Sequence, residues 1–168
     1  VYHILLDLRR RPIIYYTLRY SVADYVSKNM VNYITDRSSK EEVLSGFEPI
    51  IQKWFNHKFE DLTPPQAMAV PLIFKKENVL VSSPTGSGKT LTAFLSILND
   101  FFRIHKDGDL ETGVHAIYIS PLKALANDID RNLKQPLDEM VELAAKGKMD
   151  IPEIKVAVRT GDTSLKER

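Results

Sequence analysis

Apolar residues along this chain follow two rhythms. Three short runs have the length and β-branched content of buried strands: Asn78-Val79-Leu80-Val81, Val114-His115-Ala116-Ile117-Tyr118-Ile119-Ser120 and Ile154-Lys155-Val156-Ala157-Val158. Elsewhere apolar positions recur every three or four residues, the spacing of a helix packed on one face. Ile50, Ile51, Trp54 and Phe55 mark one such stripe, which reads as core packing rather than a groove for a partner. The stretch Leu91–Leu98 marks a second, and Leu122, Leu125, Ile129 and Leu133 a third. Strands alternating with helices predict an α/β fold, a parallel sheet flanked by helices.

Capping and breaking residues give these elements their ends. Ser39 with Glu42 has the form of a capping box, Gly46 interrupts the helix it opens, and Pro49 suits the first turn of the next. Thr63 and Pro64 start a helix predicted to run to about Lys75, with Gln66 in its first turn and Pro71 expected to kink it or end it early. Lys106-Asp107-Gly108-Asp109 is a polar turn. Pro121 ends the second strand, Pro136 is expected to break one helix and start another, and Gly147 to terminate it. Ser164 and Glu167 have capping-box spacing, so a further helix is expected to begin there. Residues 1–29 mix apolar runs with Arg9-Arg10-Arg11-Pro12 in an order that does not suit a signal peptide. Because the first methionine is Met30, this segment reads either as an upstream, non-native extension of the reading frame or as a native helix or strand packed on the domain.

Composition narrows the chemistry. The 168 residues suffice for one domain with a core, and the net charge of +1 names no partner, so any nucleic-acid contact must come from local placement of Lys and Arg. With no cysteine there are no disulfides or thiolate metal sites, and the four histidines have no ligand-like spacing. No apolar run approaches the ~20 residues of a membrane span. The absence of cysteine suits a reducing compartment, and a cytoplasmic protein is expected.

The stretch Ser82-Ser83-Pro84-Thr85-Gly86-Ser87-Gly88-Lys89-Thr90 lies between the first predicted strand and the second helical stripe. Strand, glycine loop ending in Gly-Lys-Thr, then helix is the context of a P-loop. Gly86 and Gly88 let successive backbone N–H groups converge on one concavity, to which the helix adds its positive end. Thr85 and Ser87 complete that cradle. Lys89 brings a compact charge to β- and γ-phosphates, and the Thr90 hydroxyl is placed to ligate Mg²⁺. Gln66, some twenty residues upstream, carries a carboxamide able to read an adenine edge as donor and acceptor together.

Four segments now stand in order: Phe59 with Pro65-Gln66, then Ser83–Thr90, then Ile119-Ser120-Pro121-Leu122-Lys123-Ala124-Leu125, then Arg159-Thr160-Gly161-Asp162-Thr163. Together they resemble the superfamily 2 helicases of DEAD/DEAH type, and most closely the Lhr (large helicase-related) group. The resemblance covers residues from about 46 to 168. Ser83 at the position where many P-loops have Gly fits this branch, and Pro-Leu-Lys-Ala-Leu at 121–125 is its most specific piece. The resemblance implies a RecA-like domain, with residues 30–58 as N-terminal helices leading into the Q motif and 59–168 as part of the first RecA-like domain. It implies ATP and Mg²⁺ as cofactors, Gln66 selecting adenine with Phe59 near the base, and Gly86, Gly88, Lys89 and Thr90 holding phosphates and metal. It places Pro121, Lys123 and Ala124, with Thr160, Gly161, Asp162 and Thr163, along the backbone of a single-stranded or partly duplex nucleic acid, DNA rather than RNA.

The resemblance also implies what these residues do not carry. The family hydrolyses ATP with a DExH/D motif on a later strand. The one Asp-Glu pair here, Asp138-Glu139, follows Pro136-Leu137 instead of an apolar strand and precedes the Thr-Gly-Asp segment, so it is rejected as that motif. A fold truncated before the DExH strand is expected to be nearly inert as an ATPase alone, to have low stability or to associate, and to need the rest of a helicase chain for turnover. Two other readings stand beside the helicase: a P-loop NTPase that is not a nucleic-acid motor, such as a kinase or transporter ATPase, and a module that binds without turnover.

Overall fold

The computed structural model describes residues 4–7, 32–108, 110, 113–119 and 129–158. In chain order its elements are β1 (Ile4–Asp7), α1 (Lys40–Ser45), α2 (Pro49–Lys58), α3 (Pro64–Phe74), α4 (Lys89–Lys106), β2 (Ala116–Ile119), a π-helical turn (Asp130–Lys134) and α5 (Gln135–Gly147).

Several helix ends follow local chemistry. Ser39 is the N-cap of α1, its Oγ accepting from the Glu42 N–H at 3.1 Å, while Pro49 and Pro64 open α2 and α3. Pro71 does not end α3, which runs on to Phe74. Proline has no N–H, so the Ala67 carbonyl one turn back lacks its helical donor. The Ser38 N–H takes that carbonyl at 3.2 Å, tying the start of α1 to α3. α3 closes with Lys76 in the left-handed region (φ 62°), where Lys76 N–H meets Ile73 O at 2.8 Å and Glu77 N–H meets Leu72 O at 3.1 Å. This is a Schellman closure built on lysine. The Lys76 ammonium also pairs with Asp100 on α4.

α4 is the central element, with a buried side for each of two apolar clusters. Leu91, Leu95, Leu98 and Phe102 pack with Ile50, Ile51, Trp54 and Phe55 of α2 and with Leu137, Met140 and Ala144 of α5. Ala93 and Phe94 pack with Ala69 and Ile73 of α3 and with Val79, and Val81 and Tyr118 lie against them. The Phe94 and Tyr118 rings are 5.0 Å apart. At about 1.5–3 kcal/mol for each large apolar side chain buried, these contacts outweigh the modest propensity of any single helix.

Glu139 joins α5 to α2. Its carboxylate accepts from Trp54 Nε1 at 2.6 Å and from Lys58 Nζ at 2.7 Å, with Gln135 Nε2 at 3.3 Å. Burial alone would raise its pKa, but these three hydrogen bonds and the Lys58 charge outweigh that and hold the carboxyl below its ordinary value.

Two expectations need correcting. Residues 78–81 contain a single bridge residue, Leu80, and residues 154–158 form no ladder. The sheet among the described residues is β1 paired antiparallel with β2, in the register Ile4↔Ile119 to Asp7↔Ala116. The apolar pattern is nevertheless honoured in packing, since Val79, Val81, Ile154 and Val156 all lie against the core clusters. Pro136 opens a helix, as expected, but does not break the one before it. The π-helical turn runs straight into α5, and Pro136 falls in the first turn of α5, where a missing donor costs little. α5 ends at Gly147, as expected, and the left-handed position that follows falls on Lys148 (φ 49°). No helix among the described residues is long and apolar enough to cross a membrane.

Candidate nucleotide site

The glycine loop stands at the head of α4, where backbone geometry explains both glycines. Gly86 has φ 82° and open space where a Cβ would go, so its conformation alone requires glycine. Gly88 is the N-cap of α4 with φ 85°, and a Cβ there would meet Thr63 Oγ1 at 3.1 Å and Gln66 Nε2 at 3.4 Å. It therefore needs glycine for conformation and for close approach together.

Ser83, the departure from the commonest P-loop pattern, closes the loop in a way glycine cannot. Its Oγ lies 2.6 Å from Ser87 Oγ. Beneath that bond the Lys89 ammonium donates to the Ser83 and Pro84 carbonyls, both at 2.7 Å. Partial burial holds the Lys89 pKa below its ordinary value. Thr90 follows in the first turn of α4, half-buried, its hydroxyl without a hydrogen bond among the described residues. Thr92 and Ser96 instead turn their hydroxyls back onto the Gly88 and Thr92 carbonyls at 2.9 Å each.

Gln66 is buried, with 3% of its surface exposed. As the third residue of α3 its Oε1 accepts from the Thr63 N–H at 2.8 Å, one half of a capping box. The Thr63 hydroxyl, facing Gly88, is buried and has no hydrogen-bond partner within ordinary limits among the described residues. The acceptor expected for a nucleobase is therefore engaged within α3, and the amide nitrogen faces the loop. Phe59 sits at the C-cap of α2 with its ring 5.7 Å from Trp54 and 5.0 Å from Phe55, and 38% of it remains exposed. Adjoining the first turn of α3 is a cleft of about 170 Å³, lined by Arg37, Ser38, Ser39, Lys40, Asp61, Leu62, Pro64 and Ala67.

The structure thus brings Gln66, Thr63, Gly88 and Lys89 together. Pro121, Lys123, Ala124, Thr160, Gly161, Asp162 and Thr163 lie outside the described residues. Sequence reasoning missed Asn99, a fully buried amide whose Oδ1 accepts from the Glu48 N–H at 2.7 Å and whose Nδ2 donates to the Gly46 carbonyl at 3.3 Å. The signal was available, since Asn99 is the polar member of the apolar stripe Leu91, Leu95, Leu98, Phe102.

Comparison with known proteins decides the family. The model of the DEAD/DEAH box helicase family matches residues 63–164. The chain belongs to that family, in its Lhr group. It is 48% identical over 139 residues to ATP-dependent helicase Lhr-Core protein 2 of Thermococcus barophilus, covering 83% of this chain and 16% of that protein. It is 54% identical over 127 residues to ATP-dependent helicase Lhr-Core of Methanothermobacter thermautotrophicus, covering 76% and 15%. Among solved structures, the helicase Lhr of Mycobacterium smegmatis bound to ssDNA and AMP-PNP matches with a TM-score of 0.63 and 40% identity, over 74% of this chain and 15% of that one. The chain therefore spans about a sixth of the length of these relatives. Membership implies the RecA-like P-loop fold.

Proposed function

We propose that this chain supplies the ATP-binding part of an ATP-dependent helicase or translocase acting on nucleic acid, DNA in preference to RNA. The observation that carries the reading is the cradle itself. Two left-handed glycines, an ammonium held within the loop and the first turn of an 18-residue helix follow one another over residues 86–90, with Thr63 and Gln66 against Gly88. That donor set fits a triphosphate: backbone N–H groups and a helix N-terminus for the oxygens, and Lys89 for the β- and γ-phosphates. Thr85 and Ser87 complete the rim, and Thr90 is the residue whose hydroxyl would hold Mg²⁺. Gln66 and Phe59 are assigned to the base side. ATP, when bound, would supply the γ-phosphoryl group whose transfer to water drives the motor, and Mg²⁺ would neutralise charge on the β- and γ-phosphates. What the residues of this chain do is bind and orient the phosphates and neutralise their charge.

Pro121, Lys123 and Ala124, together with Thr160, Gly161, Asp162 and Thr163, are proposed to contact the nucleic-acid backbone. Such contacts fix position without reading sequence. The DNA preference is supported by the M. smegmatis relative, described as bound to ssDNA, and by a 39% identical relative named as the DNA helicase Hel308 of Pyrococcus abyssi.

Lys89→Ala in the full-length protein tests the reading. ATP binding and DNA-stimulated hydrolysis are both expected to be lost, and unchanged ATP affinity would refute it.

A further inference from the structure

Resting on the reading that α3 and α4 together hold the nucleotide, we infer that Asn99 is a positioning residue for the site, acting from a distance through α1. α3 and α4 touch directly at Gly88, where Thr63 and Gln66 pack against the loop. A second connection between the same two helices runs through α1 and the turn that follows it.

At its start α1 is anchored to α3, because the Ser38 N–H takes the Ala67 carbonyl, adjacent to Gln66 in sequence. At its end the turn Gly46-Phe47-Glu48 is wedged between two neighbours. On one side a Cβ on Gly46 would lie 2.5 Å and 2.7 Å from ring carbons of Phe74, the last residue of α3, and the Phe47 ring meets Phe74 edge-on at 5.0 Å. On the other side Asn99 of α4 grips the turn twice, through Glu48 N–H and Gly46 C=O. α1 is thus a strut fixed to α3 at both ends and bolted to α4 by one amide.

The residue type matters. Leucine at 99 would continue the apolar stripe and serve a merely packed core. An amide there fixes one register between α4 and the turn, because sliding either would leave the fully buried Asn99 amide and its part-buried backbone partners unpaired. Losing that register lets α4 shift against α3, and the site that spans both helices, at Gly88, loosens with it.

Asn99→Leu in the full-length enzyme tests this, assayed at a temperature where circular dichroism shows the variant folded. The expected result is a KM for ATP raised about 5- to 20-fold, with kcat within about twofold and single-strand DNA affinity measured without nucleotide unchanged. Gly46→Ala displaces the same turn from the opposite side while residue 99 stays asparagine. It is expected to raise KM in the same way, and it decides the matter if Asn99→Leu does not fold. If folded variants melt earlier but keep the wild-type KM, Asn99 is only a core residue and the inference falls. Lys89→Ala run alongside separates the two failures. Retained ATP binding in that variant removes the nucleotide reading itself, whereas lost binding there with an unchanged KM in the other variants removes only the role of Asn99.

Discussion

Gly86 and Gly88 have nearly the same φ, 82° and 85°, but different surroundings, so alanine at each separates two effects that a P-loop glycine usually combines. At Gly86 the new Cβ meets nothing within 4 Å, leaving only the left-handed backbone, which costs about 1–2 kcal/mol for a residue with a Cβ. At Gly88 the same backbone term applies, and the Cβ also arrives 3.1 Å from Thr63 Oγ1 and 3.4 Å from both Thr63 Cγ2 and Gln66 Nε2. Neither neighbour yields freely, since Thr63 is the N-cap of α3 and Gln66 is held through its own Oε1. Overpacking of this kind adds about 1–3 kcal/mol. Gly88→Ala should therefore destabilise the head of α4 by about 2–5 kcal/mol, against about 1–2 for Gly86→Ala. Amide hydrogen exchange across urea concentrations, read in the full-length protein at the α4 amides, measures this local opening without assuming that a large protein unfolds in one step. Equal losses in the two variants, or a larger loss for Gly86→Ala, would refute the claim that α3 presses on the phosphate loop at Gly88.

Two further outcomes follow from the same contacts. Because the folded Glu139 carboxyl titrates below its ordinary value, its bonds to Trp54 and Lys58 stabilise the α2–α5 contact above the ordinary glutamate pKa, and that stabilisation is lost as pH falls through the folded value. Glu139→Gln should flatten this acid dependence and cost about 1–2 kcal/mol near neutrality, measured by hydrogen exchange at α5, and an unchanged acid profile would count against the contact. Ser83→Ala removes the bond to Ser87 Oγ and should loosen the loop by about 0.5–1.5 kcal/mol while leaving both Lys89 contacts, which are to backbone carbonyls. Nucleotide affinity in that variant should fall by no more than about tenfold, and a loss as complete as that of Lys89→Ala would show that the serine bond, not the lysine, organises the loop.

What the sequence by itself determined are features decided within a few residues. The Ser39 cap, the helix-opening Pro49 and Pro64, the left-handed glycines and the buried stripe on α2 are local matters of donor, ring and Cβ, and each is found where the pattern puts it. The family was legible for a related reason: a phosphate cradle needs glycine, lysine and a hydroxyl at fixed spacing, and that spacing survives as a motif. Tertiary structure decided every choice of partner across the chain. Alternation can say that Val79 and Val156 face inward, but a strand also needs a neighbouring backbone, and apolar pattern does not name which one, so β2 pairs with residues 4–7. Nor could composition say that Gln66 Oε1 would turn to Thr63, that Glu139 would serve Trp54 and Lys58, or that Asn99 would hold a turn some fifty residues away. A buried polar group must find a partner, and which one it finds is settled only when the helices pack.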